Sequence, residues 1–524
     1  MAGFKKRGRN RSLGNYKVNN VVHDKVKRYD ELPIEILRLA SDGSGVGYIE
    51  GKATFVPGML PGEQGVVRLT QVKKNFQRAE IVSINKFSPA RQPAPCSVYP
   101  QCGGCNLQHM TYETTLAWKK QWVIDSLQRI GGLKYAAEIV QDVIGMQNPW
   151  RYRNKAVLHR DSKGKFGYYK EKSYDVVVFD DCLLLSEITN KRIKTLQRVL
   201  GDSCPEVRSV IFRENRAGEG LVVLNCEPGK YGSGETREKA DPEDGKIEIG
   251  QLGKKLQQLK KEREFSTPEC ILMVSKNARP SGDVMSSGDV MSPEGVMPGD
   301  LELDDISGDG VVNTGLIEQN GCKLDDGCKL NDREFNNGRF YECMGDLKFN
   351  VSPYAFLQVN PAQTLKLYGL VLDWADLKGR EEVWDLYCGI GTITLMLAQK
   401  AGKVIGIEEN PHAVQDAIEN AKENKVENVS FVQGKVEDRI SALPGSPDLV
   451  VTDPPRAGME KEVLESLLAV KPAKIIYVSC NPATLARDVR ILTGNGTYQA
   501  EKIQPVDMFP WSRHVECVVL MTRL

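Results

Sequence analysis

The sequence has no apolar run near the ~20 residues that a membrane-spanning helix needs, and its start lacks the pattern of a secretory signal. Net charge is almost absent, because 70 Lys and Arg balance 69 Asp and Glu. The 13 cysteines are spread along the chain, which does not suit a small disulfide-rich module. These features exclude an integral membrane protein and disfavour a secreted one, so the cysteines should be reduced, metal-bound or catalytic.

Length and composition set further expectations. At 524 residues the chain should hold two to four domains, which excludes a single small binding module. Its 41% hydrophobic and 27% charged residues are typical of an ordinary globular protein. We expect a monomer with no membrane partner, located in the cytoplasm, with a plastid or mitochondrion as the alternative.

The small net charge conceals two segments of opposite sign. The first 28 residues hold nine Lys or Arg and one acidic residue, whereas residues 281–320 hold nine Asp or Glu and no Lys or Arg. Residues 1–31 are therefore predicted to be a disordered basic tail. Such a tail could also be an arm that binds nucleic acid or an organelle transit peptide.

Residues 228–338 are predicted to be a low-complexity acidic insertion. They contain the sequence SGDVM twice and GCKL twice, among many Gly, Ser and Pro residues. This composition cannot bury a core, so we expect the segment to be mostly disordered, with at most a marginal helix over 249–263.

The rest of the chain divides into three predicted folded blocks. Residues 32–86 alternate short apolar runs with Gly and Pro turns, which predicts a small β-barrel of about five strands. Residues 87–227 combine a helix over 112–131 with later strands, which predicts an α+β domain. Residues 339–524 repeat strand, turn and helix, which predicts an α/β domain whose parallel sheet has helices on both faces.

Four cysteines form a pattern typical of a metal centre. Cys96, Cys102 and Cys105 lie close together in a loop rich in Gly and Pro, and Cys182 follows later in the chain. Three close thiolates and one distant one suit a tetrahedral shell, either an iron–sulfur cluster or zinc. Reduced cysteines without a metal are the third interpretation. A closed shell of four thiolates favours a structural or RNA-positioning role over redox chemistry.

A nucleotide-type crevice is predicted where the strand at 383–387 ends in a glycine turn that opens a helix. The third glycine of a dinucleotide motif is replaced by Thr394, which disfavours NAD and FAD. Glu408 ends the next predicted strand, where a carboxylate can accept both ribose hydroxyls. Together with Asp453-Pro-Pro at the end of a later strand, these features predict a site for S-adenosylmethionine.

A candidate catalytic pair lies further along the chain. Cys480 ends a predicted buried strand and precedes a helix, whose N-terminus should stabilise a thiolate. Glu516 lies in the last predicted strand among valines, which should raise the pKa of its carboxyl group and suit it to act as a base. For each residue a purely structural role is the competing interpretation.

These features recur together in one known family. The motifs are Cys96-x5-Cys102-Gly-Gly-Cys105, Phe356-Leu-Gln358-Val-Asn360, Asp385-Leu-Tyr-Cys-Gly-Ile-Gly391, Asp453-Pro-Pro-Arg456, Ser479-Cys480-Asn-Pro and His514-Val-Glu516. They closely resemble those of the class I RNA uracil-5-methyltransferases, over nearly all of 32–227 and 340–524. The resemblance implies an N-terminal TRAM barrel, a central RNA-binding domain with a [4Fe-4S] cluster on the four cysteines, and a Rossmann-like catalytic domain.

The resemblance also implies individual roles. Gln358, Tyr387, Glu408 and Asp453 should contact S-adenosylmethionine, Cys480 should be the nucleophile and Glu516 the base. Cys480 would add to C6 of uracil and so activate C5 for methylation. Members with both barrel and cluster cysteines act on large-subunit rRNA, whereas the bacterial tRNA-specific type lacks both. We therefore expect an rRNA substrate rather than tRNA.

Two other functions stay open. An amino-group methyltransferase acting on adenine or cytosine also carries an Asp-Pro-Pro-like motif, but it would have an aromatic residue at the position of Arg456 and would not need Cys480. A non-catalytic RNA-binding protein is the second rival. The basic segment from Arg151 to Lys155 is predicted either to contact RNA or to be the solvated start of a strand.

Overall fold

The computed structural model describes residues 26–226, 250–265, 270–276 and 340–524. The described residues form two compact units, one of residues 26–40 with 44–88 and one of residues 41–43 with the described residues from 89 onward. Over the described ranges, none of the helices is both long and apolar enough to span a lipid bilayer. The predicted basic tail over residues 1–25 and the acidic segment at 281–320 lie outside the described residues.

The first unit is a small six-stranded β-sheet structure with its own apolar core. Its strands are β1 (Glu31–Glu35), β2 (Arg38–Leu39), β3 (Gly45–Ile49), β4 (Lys52–Val56), β5 (Gln64–Val72) and β6 (Phe76–Lys86), in the order β1-β5-β6-β4-β3-β2. About five strands were expected. The apolar run at 32–40 divides into two strands, because β1 pairs with β5 while β2 pairs with β3. Ile36, Val56 and Leu69 are among the buried residues of the core.

The second unit begins with a mixed sheet that forms the central domain. Its strands are β7 (Lys155–Arg160), β8 (Phe166–Tyr169), β9 (Val176–Val178), β10 (Val207–Glu214), β11 (Gly220–Cys226) and β12 (Cys270–Lys276), in the order β12-β11-β10-β7-β8-β9. Helix α3 (Glu187–Leu200) covers one face, and the side chain of Ser186 caps its start by accepting from the amide of Thr189. The α+β prediction is confirmed.

The sequence predicted that the central domain ends at residue 227, but its sheet includes a later segment of the chain. Helix α4 (Gly250–Lys261) and strand β12 lie within the predicted insertion, and β12 adds to the sheet beside β11 in parallel register. Leu252, Leu256 and Leu259 bury one face of α4 in the same core as α3. Helical spacing of these leucines outweighs the polar composition around them. The other residues of this segment, which are 228–249, 266–269 and 277–338, lie outside the described ranges.

The catalytic domain has a seven-stranded sheet in the order β17-β16-β15-β18-β19-β21-β20. Its strands are β15 (Glu382–Leu386), β16 (Lys403–Glu408), β17 (Val429–Gln433), β18 (Leu449–Thr452), β19 (Lys474–Ser479), β20 (Tyr498–Val506) and β21 (Glu516–Arg523), and a hairpin of β13 (Tyr341–Met344) and β14 (Leu347–Asn350) precedes them. The first five strands pair in parallel, while β21 is antiparallel to both β19 and β20. The predicted Rossmann-like fold is confirmed.

Helices cover both faces of this sheet. They are α1 (Tyr112–Arg129), α2 (Ala136–Ile139), α5 (Pro361–Ala375), α6 (Thr392–Ala398), α7 (Pro411–Glu423), α8 (Val436–Arg439), α9 (Lys461–Val470) and α10 (Pro482–Thr493). Two apolar clusters form, one on each face of the strands. Helix α1 precedes the central sheet in the chain, yet Val123 and Leu127 pack in the same cluster as Leu485 and Val489 of α10. The central and catalytic blocks therefore share a core.

Candidate active site and cysteine centre

The turn after β15 forms the floor of the crevice. Tyr387, Gly389 and Gly391 all have positive φ angles, of 64°, 55° and 80°. Glycine adopts such angles without steric cost, whereas a tyrosine does so only under strain. A β-carbon on Gly391 would lie 3.2 Å from both Ala417 and Phe431, so this turn is also tightly packed. Helix α6 starts directly after it.

Glu408 at the end of β16 is fixed against this turn. Its Oε2 accepts from the amide of Gly389 at 3.0 Å, and its Oε1 accepts from the amide of Asn410 at 2.8 Å. Each oxygen keeps lone-pair capacity for a further donor. The structure therefore holds Glu408 at the crevice with an orientation suited to accept from ribose hydroxyls.

Acidic groups continue along the carboxyl edge of the sheet. Burial, and secondarily the charge of Asp385, raises the pKa of Asp453 to about 7. Burial also raises the pKa of Asp385 to about 7, although Thr394 donates to it at 2.6 Å. Buried carboxyl groups in such proximity favour a cationic ligand. Asp385 was not predicted as a site residue, and the signal for it was a lone acid within an apolar strand.

Cys480 and Glu516 occupy neighbouring positions at the ends of two adjacent antiparallel strands, β19 and β21. Ser479 of β19 is paired with Cys517 of β21, so the next position outward places Cys480 beside Glu516. Glu516 is 2% exposed, and its Oε2 has no hydrogen-bond partner among the described residues. The structure thus brings the two predicted catalytic residues together at the same edge of the sheet as Asp453.

Burial controls the protonation of this pair. It raises the pKa of Glu516 to about 8, with a smaller contribution from Asp453, as the sequence predicted in direction. The pKa of Cys480 is also raised, first by burial and then by Glu516 and Asp453. The stabilisation of a Cys480 thiolate by the start of α10 stays a prediction. Arg456 is the nearby cation that opposes both shifts.

Arg456 ties the Asp453 loop to the catalytic strands. Its backbone carbonyl accepts from the side chains of Asn481 and Thr484, each at 3.1 Å. Its guanidinium lies 3.2 Å from Nδ1 of His514. Because burial, reinforced by nearby cations, lowers the pKa of His514 to about 3, the imidazole is neutral and accepts this hydrogen bond. Arg456 and His514 were quoted in motifs but were given no role by the sequence.

The two remaining predicted contacts lie on separate segments. Gln358 is 4% exposed and lies in the loop between β14 and α5. The next residue, Val359, accepts from the amide of Asn154 in the central domain at 2.9 Å. Tyr387 is partly buried and packs against the apolar cluster on the α10 side of the sheet.

The loop over residues 507–515, which leads into Glu516, is anchored on the central block. The carbonyl of Trp511 accepts from the amides of Asn106 and Leu107 at 2.9 and 3.0 Å. Its indole stacks on Trp150 with ring centres 4.5 Å apart, and Tyr152 donates to the carbonyl of Pro510 at 3.1 Å. Glu516, the predicted base, is therefore positioned by contacts that start beside the cysteines.

Cys96, Cys102, Cys105 and Cys182 line one cavity in the central block. Burial raises the pKa of Cys102 to about 11, and the sulfurs of Cys96 and Cys182 add to this shift, which places them within electrostatic range. The amide of Gly104 donates to Cys102 Sγ at 3.4 Å. Within the described residues, no three His, Cys, Asp or Glu side chains are arranged to hold a single metal ion.

Arg151 secures the loop that carries Cys182. Its guanidinium pairs with both oxygens of Asp181, at 2.7 and 2.9 Å, and donates to the carbonyls of Cys182 and Leu185. Tyr152 is 8% exposed. Because Tyr152 is buried and Arg151 holds the Cys182 loop, these two residues are not the solvated start of a strand, and the predicted RNA contact stays a prediction.

The fold and the crevice define a Rossmann-like methyltransferase. Residues 343–524 match the model of the tRNA (uracil-5-)-methyltransferase family, and residues 25–82 match the TRAM domain. Proteins described as uncharacterized RNA methyltransferases are similar over almost their whole length. They include one from Bacillus cereus (35% identical, 95% of this chain and 98% of that protein) and one from Halalkalibacterium halodurans (36%, 95% and 98%).

A solved structure agrees in fold. The tRNA (uracil-54, C5)-methyltransferase of Pyrococcus abyssi, in complex with S-adenosyl-L-homocysteine, has a TM-score of 0.63 at 22% identity, covering 94% of this chain and 100% of that one. This chain belongs to the RNA uracil-5-methyltransferase family. It is accordingly an RNA methyltransferase that uses S-adenosylmethionine.

Proposed function

We propose that this protein methylates C5 of a uridine in RNA through a covalent bond between Cys480 and C6 of the base. The observation that carries the proposal is the strand register that sets Cys480 beside Glu516, next to the acidic crevice. Uracil C5 is a weak nucleophile, and addition of a thiolate at C6 places negative charge on C5 and O4. No such nucleophile is needed to methylate an amino group.

The chemistry then follows from the positions of these groups. C5 takes the methyl group of S-adenosylmethionine, which leaves as S-adenosylhomocysteine. Glu516 accepts the proton from C5, and the bond between C6 and sulfur breaks to release 5-methyluridine and Cys480. Both residues must first lose a proton, and their raised pKa values oppose this in the free protein. When S-adenosylmethionine is bound, its cationic sulfonium lowers the pKa values of Cys480 and Glu516 and so favours their deprotonated forms.

For S-adenosylmethionine we propose contacts from Gln358, Tyr387, Glu408 and Asp453. Glu408 supports this assignment best, because two backbone amides already fix its carboxylate at the turn after β15. Asp453 and Asp385 offer negative charge to the sulfonium and the ammonium group of the ligand. A neutral or anionic cosubstrate would leave that buried acidity without compensation.

For the cysteine cavity we propose a [4Fe-4S] cluster held by Cys96, Cys102, Cys105 and Cys182. The donor set supports it, since four sulfurs line one cavity and the backbone amide of Gly104 donates to the sulfur of Cys102. Amide donors of this kind stabilise the charge on cluster sulfurs. Such a centre would fix the loop on which Trp511 rests.

The proposed substrate is large-subunit rRNA, with tRNA as the alternative. Support comes from the combination of a TRAM domain with the four cysteines, which in the resembling family accompanies rRNA substrates. The inference is one of analogy, so the experiment must offer both kinds of RNA.

Trapping with 5-fluorouridine tests the proposal. The protein is incubated with S-adenosylmethionine and fluorouridine-substituted rRNA or tRNA, and the denatured adduct is mapped. Fluorine cannot leave as a proton does, so the bond from Cys480 to C6 should persist. Cys480→Ala should form no adduct, while Cys204→Ala, a buried cysteine in the central domain, should react as wild type does. A Cys480→Ala variant that still methylates RNA would support the amino-group methyltransferase instead.

A further inference from the structure

Arg153 lines the same cavity as the four cysteines and brings a positive charge to it. Its Nε donates to the carbonyl of Lys155 at 2.9 Å, and in the described part of the chain it forms no ion pair with an acid. Asp181 also lines the cavity, but it forms its ion pair with Arg151, which donates to both of its carboxylate oxygens. Arg153 is half-buried, and a guanidinium that has lost part of its hydration without gaining an acidic partner is costly unless another anion compensates it.

Tyr168 brings an unused hydrogen-bond donor to the cavity. The residue is 9% exposed, and its hydroxyl has no hydrogen-bond partner among the described residues. The ring stacks on Phe179, and the hydroxyl lies within electrostatic range of Cys182, Cys102 and Arg153. Leaving such a buried donor unpaired is unfavourable, which points to an acceptor that the protein itself does not supply.

We propose that Arg153 and Tyr168 complete the cysteine centre. Arg153 compensates the charge of the thiolates, and Tyr168 donates its O–H to a sulfur of the centre. The inference rests on the proposed metal centre but not on its identity, because four thiolates around a cluster or around zinc both carry net negative charge. A nearby cation favours the reduced form of a cluster, so Arg153 should raise its reduction potential as well as slow its loss.

The experiment compares full-length variants reconstituted with iron and sulfide without oxygen. Arg153→Met removes the charge, Arg153→Lys keeps it, and Tyr168→Phe removes only the hydroxyl. Arg160→Met and Tyr498→Phe are matched controls, since their side chains donate to backbone carbonyls away from the cavity. Iron per chain, the decay of cluster absorbance under a chelator and the midpoint potential are measured, with dithionite as the reductant.

Arg153→Met and Tyr168→Phe should bind the cluster and lose it about tenfold faster than the controls do, as expected for a charge-assisted hydrogen bond. Arg153→Met should also shift the redox equilibrium about tenfold toward the oxidised form, which is 59 mV for one electron. Arg153→Lys should stay near the wild-type potential. A merely structural role would not move the potential in this way.

Decay rates and potentials that match the controls would overturn the inference. If Arg153→Met does not fold, Tyr168→Phe decides the outcome, because it changes no volume and no charge. A wild type that binds no metal refutes the proposed centre itself. A wild type that holds zinc refutes only the iron–sulfur identity, since the zinc release rates of the same variants still test Arg153 and Tyr168.

Discussion

Replacing Lys119 with methionine removes one half of a buried ion pair between α1 and the loop that leads to Glu516. Lys119 Nζ lies 2.5 Å from Oδ1 of Asp507, and both side chains are fully buried. Nζ also donates to the carbonyl of Phe509 at 3.1 Å. Methionine fills a similar volume, so the main loss is the uncompensated charge on Asp507. Breaking a buried pair in this way costs about 3–5 kcal/mol.

The assay is urea denaturation of the full-length protein, followed by tryptophan fluorescence. Lys120→Met is a close control, because Lys120 is the next residue of the same helix and pairs at 2.7 Å with Asp142, which is 96% exposed. That variant should lose about 1 kcal/mol or less. Adding Asp507→Asn to Lys119→Met should restore part of the loss, since the asparagine can still accept from Tyr112. A Lys119→Met variant no less stable than Lys120→Met would refute the reasoning.

Three further predictions concern the active site and the cysteine loop. Glu516→Gln should lower the rate of turnover at least about a hundredfold, because the C5 proton is not removed. The covalent RNA adduct should then accumulate and be visible on denaturing gels. Binding of S-adenosylmethionine near pH 7 should release protons from Asp453 and Glu516, because its positive charge lowers their raised pKa values. Calorimetry in two buffers of different ionisation enthalpy measures the number of protons released. S-adenosylhomocysteine, which lacks the sulfonium, should release fewer protons. Arg151→Met should weaken metal retention, measured as metal per chain, since it frees the loop of Cys182.

Much of the architecture follows from local patterns. Apolar strands that alternate with amphipathic helices predict the parallel sheet at 339–524, because each element must bury one face. The glycine turn before α6 and the acid at the end of β16 are set by positions within single motifs. Gln358, Tyr387, Glu408 and Asp453 could therefore be assigned by resemblance.

The remaining features depend on contacts between distant segments. The pairing of Ser479 with Cys517 brings Cys480 beside Glu516, and no local spacing encodes it. Strand β12 pairs with β11 although a long polar segment separates the two strands in the chain. The polar composition of that segment hid β12 from the sequence-based prediction. The raised pKa of Cys480 results first from burial and then from the charges of Glu516 and Asp453, which come from other segments of the chain.

The position of β21 has a consequence for how the protein reaches its active form. Strands β19 and β20 are successive in the chain, yet β21 lies between them and pairs with both. β20 reaches β21 across residues 507–515, whereas α10 and β20 lie between β19 and β21 in the chain, so the pairing of β19 with β21 is the less local one. Closure of this edge depends on a non-local step, which slows folding relative to local pairing. Cys480 and Glu516, the proposed catalytic pair, therefore come together only when β21 pairs with β19, so the site depends on a pairing between distant segments.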